Sequence, residues 1–372
     1  MSTTPEIIKL LPPPPLDPLE LMNEEEKRKW IKGKKLGEGT YANVFLGHSR
    51  SDPAVKVAIK KIKVNKEFTD GMPPDAVREV KALQELNHPN IIRLYSVFAS
   101  KDQNLSLVLE FLPRGDLETL MFDQNVTYNA ADIKAWTAMM LRGVWFCHEN
   151  FVLHRDIKPN NLLIGADGEL KLADFGLARS FADPHQLMSP NVITRWYRPP
   201  ELFFGARHYS GAVDVWSVGM VFAQLANRRA WITGGNDTEM VTLLHRELGA
   251  ITDDVWPGVS TLPHYVGPGP NPEKPRDLQF YIHNFRPLGT EGCHLLMQTL
   301  MLDPKTRVTA KQALQHKYWF ADPRPTPTEL LPHVPDKRAV EKMAADLKRR
   351  PGVVDEDRGS KVARKLDFGA AR

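Results

Sequence analysis

His154-Arg155-Asp156-Ile157-Lys158-Pro159-Asn160-Asn161 is the stretch whose reading decides the fold. Its aspartate stands five residues before its last asparagine, which separates a group able to receive a hydroxyl proton from a group able to ligate a metal. Asp174-Phe175-Gly176 follows 13 residues past Asn161. A carboxylate there suits a hard cation of the Mg2+ kind, which takes oxygen ligands and phosphate together. Read singly, these are polar loop residues. Their order and spacing carry the chemistry.

Upstream lie two weaker motifs that gain meaning from the first pair. Leu36 leads into Gly37-Glu38-Gly39-Thr40-Tyr41-Ala42-Asn43-Val44. Glycines let a strand–turn–strand backbone come close to phosphate oxygens and offer N–H donors without steric cost. Ala42 stands where a third glycine would complete the pattern, and alone the stretch reads equally as a plain hairpin. Val57-Ala58-Ile59-Lys60 comes next, a strand that ends on a lysine. Standing alone, Lys60 would be a snorkelling surface residue. In this company its ammonium would hold the α/β-phosphates of a nucleotide and pair with a helix glutamate, for which Glu79 is the candidate. Glycine loop, lysine, catalytic-loop aspartate and metal-binding aspartate form a phosphoryl-transfer set.

The remaining pattern fits two lobes. Residues 31–112 are strand-rich, with β-branched and aromatic runs at Val55–Ile59 and Leu105–Phe111. One helix interrupts them: Pro73-Pro74 suit its first turn, Asp75 its positive end, and Ala76, Val80 and Leu83 form an apolar stripe. After about residue 115 the pattern turns helical, most clearly over Ile133 to His148 and Asp214 to Leu225. The expected fold is α+β and bilobal. Residues 1–29 are expected as a Pro-rich extension, 30–320 as the domain (lobes 30–112 and 113–320), and 321–372 as a linker with a basic tail.

Composition narrows the alternatives. The chain has 372 residues, 42% of them hydrophobic, which is enough for such cores. Its 2 cysteines, Cys147 and Cys293, read as thiols of a reducing compartment rather than a disulfide scaffold. The longest apolar run, Val215 to Ala226, contains Ser217, Gly219 and Gln224 and falls far short of the ~20 residues a membrane span needs. With Glu6, Lys9 and Pro12–Pro15, the N-terminus does not read as a signal peptide.

Proline and charge are both local. Residues 1–20 hold 6 prolines and residues 253–335 hold 13. Pro12–Pro15 reads as a polyproline extension, either a solvated linker or a strand for an aromatic groove. Residues 337–372 hold 11 basic and 6 acidic side chains, so the other residues have 38 (49 − 11) and 39 (45 − 6). The body is therefore near neutral, and direct nucleic-acid binding is not expected. The tail reads as a nuclear-localisation or docking segment, or as solvated chain.

These motifs resemble those of the eukaryotic protein kinases over roughly residues 30–320. Pro199-Pro200-Glu201 stands where that family has Ala-Pro-Glu, and the resemblance implies a Glu201–Arg307 pair and Asp214 bracing the catalytic loop. Lys158, two residues after Asp156, is similar to serine/threonine kinases. Val192-Ile193-Thr194-Arg195-Trp196-Tyr197-Arg198 and Ala76-Val77-Arg78-Glu79 resemble the cyclin-dependent kinases. Phe203-Phe204-Gly205-Ala206-Arg207 and Pro325-Thr326-Pro327-Thr328 are similar to the branch that serves transcription factor TFIIH as the CDK-activating kinase.

The resemblance implies the following roles. Asp156, Lys158, Asn161, Lys60 and Glu79 are catalytic, and Asn161 and Asp174 hold Mg2+. ATP lies among Leu36 to Val44, Ala58, Lys60, Glu110, Leu112, Asp116 and Leu163, with Leu109 behind the adenine. Asp116 would meet the ribose, although the chain from Leu109 to Asp116 is one residue longer than the family's. Thr40-Tyr41 are inhibitory phosphosites or plain loop residues. Ser189, followed by Pro190, stands at the activating phosphosite, with Arg78, Arg155 and Arg179 as its phosphate cluster. Ile193 implies a preference for proline after the target serine.

Implied partners are a cyclin of the H type, a RING-finger assembly factor, the TFIIH core, and the C-terminal repeats of RNA polymerase II as substrate. The implied compartment is the nucleus. Gly71-Met72-Pro73-Pro74-Asp75 departs from the usual start of the cyclin-binding helix, so a cell-cycle kinase with another cyclin remains an alternative, as does a silent scaffold. The resemblance also implies a lone chain that is largely inactive until cyclin pushes Glu79 towards Lys60.

Overall fold

The structure is a computed structural model that describes residues 17–38, 42–63, 74–100, 104–183 and 185–335. The Pro12–Pro15 run, Gly39-Thr40-Tyr41 and the basic tail lie outside the described residues.

The small lobe begins with α1 (Pro18–Arg28), started by Asp17, whose carboxylate accepts from Leu19 N. The strands β1 (Trp30–Glu38), β2 (Ala42–Ser49) and β3 (Lys56–Ile62) follow, then α2 (Pro74–Glu85), β4 (Leu94–Ala99) and β5 (Leu105–Glu110). They form one antiparallel sheet in the order β1-β2-β3-β5-β4. Alternation along β3 explains its two faces. Val57 and Ile59 pack with Val108 under Trp30, Phe45 and Phe98. Ala58, Lys60 and Ile62 point the other way, toward α2 and the cleft, where Ala76, Ala82 and Leu83 of α2 are buried.

The leader does not wholly stay off the domain. α1 lies against β4, the sheet's edge strand. The Asn23 amide donates to Ala99 O (2.9 Å) and accepts from Ala99 N (2.7 Å), while Ser96 Oγ donates to Glu26. One side chain thus does what a neighbouring strand would do for an otherwise open edge.

The large lobe is helical. α3 (Leu117–Phe122) leads to α4 (Ala130–Glu149), which starts on a capping box between Asn129 and Asp132. Next come β6 (Val152–Leu153), β7 (Leu162–Ile164), β8 (Leu170–Leu172) and β9 (Arg179–Ser180), where β6 pairs β9 and β7 pairs β8. Then follow α5 (Pro200–Phe203), α6 (Ala212–Asn227), α7 (Asp237–Leu248), α8 (Leu278–Asn284), α9 (Gly289–Thr299) and α10 (Ala310–Leu314). α4 and α6 are apolar around most of their circumference, which marks central helices rather than surface ones. Trp136 and Trp216 are fully buried on them. No described helix is long and apolar enough to cross a membrane.

Candidate active site

The catalytic loop runs from β6 to β7 and is pinned from beneath. Asp214, in the first turn of α6, is fully buried and accepts from His154 N and Arg155 N, both at 2.9 Å. His148 Nε2 contacts it at 3.0 Å. Burial opposes the Asp214 charge, but the His148 contact, nearby His154 and the Arg155 N–H outweigh it, so its carboxyl sits below the ordinary range. Arg155 itself adopts φ +62°, a left-handed conformation that a non-glycine residue keeps only when its surroundings insist. The bracing role expected of Asp214 is therefore visible bond by bond.

Asp156 is held on every side. Lys158 Nζ reaches its two oxygens at 2.9 and 2.7 Å, Thr194 Oγ1 donates to Oδ1 at 2.9 Å, and Asn161 Nδ2 donates to Oδ2 at 2.8 Å. Lys158 Nζ also donates to Thr194 Oγ1 at 2.9 Å. Thr194 had no assigned role in the sequence reading. Its membership depends on a loop crossing back 38 residues downstream, which no local pattern announces.

Asn161 shows what else belongs here. Its amide nitrogen is occupied by Asp156, at the backbone oxygen and at Oδ2, while its buried Oδ1 has no partner among the described residues. A buried carboxamide oxygen without a protein partner is the kind of ligand atom a Mg2+ ion takes. Asp174, the other residue expected to hold the cation, adopts φ +65°. Ala173 N donates to Asn161 O at 2.9 Å, so the two ligand-bearing loops are tied together.

The roof of the cleft is β3 and α2. Lys60 Nζ lies 2.7 Å from both Glu79 oxygens and 3.3 Å from Asp174 Oδ1. Burial opposes the ammonium, but Asp174 and Glu79 outweigh it, so Lys60 stays protonated beyond the ordinary lysine range. The pair expected of Lys60 and Glu79 is thus closed in this structure. α2 rests on the turn at 175–177, and Phe175, fully buried beneath it, stacks edge-on to His154 at 4.6 Å.

Around this centre Val44, Ala58 and Leu163 are half-buried, while Leu36, Leu109 and Leu112 are buried. Glu110 N donates to Arg93 O, and its carboxylate meets Lys171 at 3.1 Å. Lys35 and Lys63 hold the exposed Glu38 carboxyl down to about 2. Asp116 is 3% exposed and accepts from Thr119 N at 2.8 Å as the cap of α3, directly after Gly115 at φ +80°.

Residues 30–319 match the protein kinase domain family. The chain is 46% identical over 302 residues to the serine/threonine-protein kinase KIN28 of Saccharomyces cerevisiae, covering 80% of this chain and 95% of that one. It is 43% identical over 299 residues to cyclin-dependent kinase 7 of Xenopus laevis, covering 80% and 83%. A chain in the structure of the CAK complex from Chaetomium thermophilum bound to ATP-γ-S matches with a TM-score of 0.84 and 63% identity, covering 86% of this chain and 99% of that one. The chain belongs to the serine/threonine protein kinases, in their cyclin-dependent family.

The activation segment of this kinase runs from Asp174 to Glu201. Glu201 meets Arg307 in a two-pronged bridge at 2.7 and 3.0 Å, as expected. Ser189 is exposed, and none of the three expected arginines bonds it among the described residues. Arg78 Nη1 is with Asp75 of its own helix at 2.8 Å. Arg155 donates to Leu177 O and, through Nη1, to Tyr209 Oη; the Tyr209 hydroxyl in turn donates to Ser189 O at 2.8 Å. Arg155 and Arg179 both act electrostatically on Tyr209. Tyr209 thus links Ser189 to the arginines, a residue the sequence reading missed. Ile193 has φ +66°, and Arg198 Nε donates to Val192 O (2.9 Å) and Ile193 O (3.2 Å).

Proposed function

We propose that this kinase transfers the ATP γ-phosphoryl to serine or threonine followed by proline, as the TFIIH-associated CDK-activating kinase. The observation that carries the reading is the Asp156 constellation: a carboxylate steadied by Lys158, Thr194 and Asn161, beside an asparagine oxygen left open for a cation.

Each residue then has a task. The adenine lies between Val44 and Ala58 above and Leu163 below, with its edge on the backbone of Glu110 and Leu112 and Leu109 behind it. Leu36 and the loop Gly37, Glu38, Gly39, Thr40, Tyr41, Ala42 and Asn43 cover the phosphates, and Lys60, oriented by Glu79, holds them. Asn161 and Asp174 would bind Mg2+, which neutralises charge on the phosphates. Asp156 orients the substrate hydroxyl and takes its proton late, and Lys158 steadies the transferring group. Such a site acts by positioning and preorganised charge.

A phosphate on Ser189 carries about −1.5 to −2 charge and would draw Arg78, Arg155 and Arg179 together through charge-assisted bonds. Relatives at 46% and 43% identity named KIN28 and cyclin-dependent kinase 7 support a cyclin partner; a cyclin of the H type, a RING-finger assembly factor and the TFIIH core are the partners proposed from the family resemblance. The resemblance likewise supports the RNA polymerase II C-terminal repeats and other CDKs as substrates, and a nuclear location. Purifying the native complex and identifying its subunits tests the partners. For the chemistry, Asp156→Asn is expected to lower phosphoryl transfer at least ~100-fold while a fluorescent ATP analogue still binds. Retained turnover overturns the assignment.

A further inference from the structure

Asp237 lies outside the cleft, at the first position of α7, yet it is tied to the substrate-binding segment at two points. Its Oδ1 accepts from Arg195 Nε at 2.9 Å and its Oδ2 from Arg198 Nη1 at 3.0 Å. Asn236 caps the same helix start through Glu239 N, so the carboxylate sits on a fixed element. Arg195 Nη1 adds a bond to Gly235 O at 2.9 Å, and Trp196 Nε1 one to Gly234 O at 3.2 Å. The 3-10 turn at Arg195–Tyr197 and the Arg198 that follows it are thereby stitched to residues 234–237.

The consequence runs through Arg198. Its guanidinium stacks over Phe203, with Nη1 on Asp237 and Nε aimed at the carbonyls of Val192 and Ile193. Those carbonyls belong to the peptide units around Ile193, whose left-handed backbone is costly for a β-branched side chain and persists only while something holds it. Arg198 is that hold, and Asp237 sets the direction of Arg198. We infer that Asp237 is a positioning residue for substrate selection: it keeps the Ile193 carbonyl turned away from the residue after the target serine.

This rests on the serine/threonine-proline reading given above. A residue other than proline there brings an N–H with no acceptor, whereas proline has none to leave unpaired. Without the Asp237 carboxylate, Arg198 loses the ion pair that directs its Nη1, and Arg195 and Arg198 stand beside each other without that shared anion. The Ile193 peptide is then free to relax and present its carbonyl to an incoming N–H. Discrimination falls from both sides: proline substrates are held less well, and non-proline substrates gain a hydrogen bond.

The test uses the kinase in its native complex and two peptides that differ only in Ser-Pro against Ser-Ala. Asp237→Asn is expected to lower the ratio of kcat/KM for Ser-Pro over Ser-Ala about tenfold, with the loss mainly in the Ser-Pro peptide KM and a rise in Ser-Ala turnover. Asp237→Glu, which keeps the charge, is expected to restore most of the ratio, and Asp237→Ser, which removes it, takes the place of the asparagine variant if that one does not accumulate. A merely structural Asp237 would lower both peptides in parallel, so an unchanged ratio overturns the inference. A wild-type ratio near one overturns the serine/threonine-proline reading itself, and this inference with it.

Discussion

Two buried ion pairs, one in each lobe, use the same chemistry to opposite ends. In the large lobe Glu201 and Arg307 are almost wholly excluded from solvent. Arg307 also donates to Ala212 O, Met301 O and Leu302 O and lies over Trp216 at 4.8 Å, so every guanidinium N–H has an acceptor. In the small lobe Lys60 is one-fifth exposed, and its three donors go to carboxylates of α2 and of the loop at Asp174. The Arg307 pair joins segments by bonds of fixed direction. The Lys60 pair is a point charge shared between two elements, which can let go of one carboxylate while keeping the other. The first is a weld, the second a joint.

Removing one partner should separate the two roles. Glu201→Gln leaves Arg307 buried and uncompensated, a change that costs about 3–5 kcal/mol. The expected result is a fall in Tm of roughly 10 °C by scanning calorimetry. A fall of a degree or two would mean that the surrounding carbonyls alone hold Arg307, and the weld would not be ionic.

Glu79→Gln comes next in size. Lys60 retains Asp174 as a partner, so little stability should be lost, but the ammonium is no longer directed toward the phosphates. Turnover is expected to fall about 100-fold, in line with the loss of a positioned electrostatic group. The informative comparison is Tm in the two variants: a drop as large as that of Glu201→Gln would make both pairs structural and erase the distinction.

How much of this was legible before the fold depends on where the partner lies. Asp156, Lys158 and Asn161 are five residues apart at most, and their roles follow from spacing within one loop. The helix read over Ile133 to His148 extends from Ala130 to Glu149, where Asn129 and Asp132 cap it. What escaped was the second partner in long-range contacts. Tyr209 meets Arg155 across 54 residues and Ser189 across 20. Thr194 meets Asp156 across 38 residues. Asn23 sits among glutamates and lysines and reads as solvated; its use appears only when β4 presents Ala99 as an open edge. In each case the residue type was ordinary and the neighbour was supplied by tertiary structure.

Acid should probe the floor of the large lobe with the smallest effect of the set. Burial lowers the pKa of His154, against the raising influence of Asp214, Asp156 and Asp174, and its ring bonds Ala173 O and accepts from Asp156 N. In the unfolded chain a histidine takes up a proton near pH 6.5, whereas buried His154 does so only at lower pH. The unfolded state therefore binds more protons below that point, so the stability His154 contributes is intact above about pH 6.5 and declines as pH falls. One such group is worth up to about 1.4 kcal/mol per pH unit. The Lys60–Glu79 joint behaves oppositely, since a lysine held above its ordinary range loses its contribution only as pH rises beyond the lysine region. Urea unfolding at pH 7.5 and 5.5 should therefore show a smaller pH dependence in His154→Gln than in the parent, by about 1 kcal/mol. Equal slopes would move the acid sensitivity to His88, His245 and His316, whose pKa values burial also lowers.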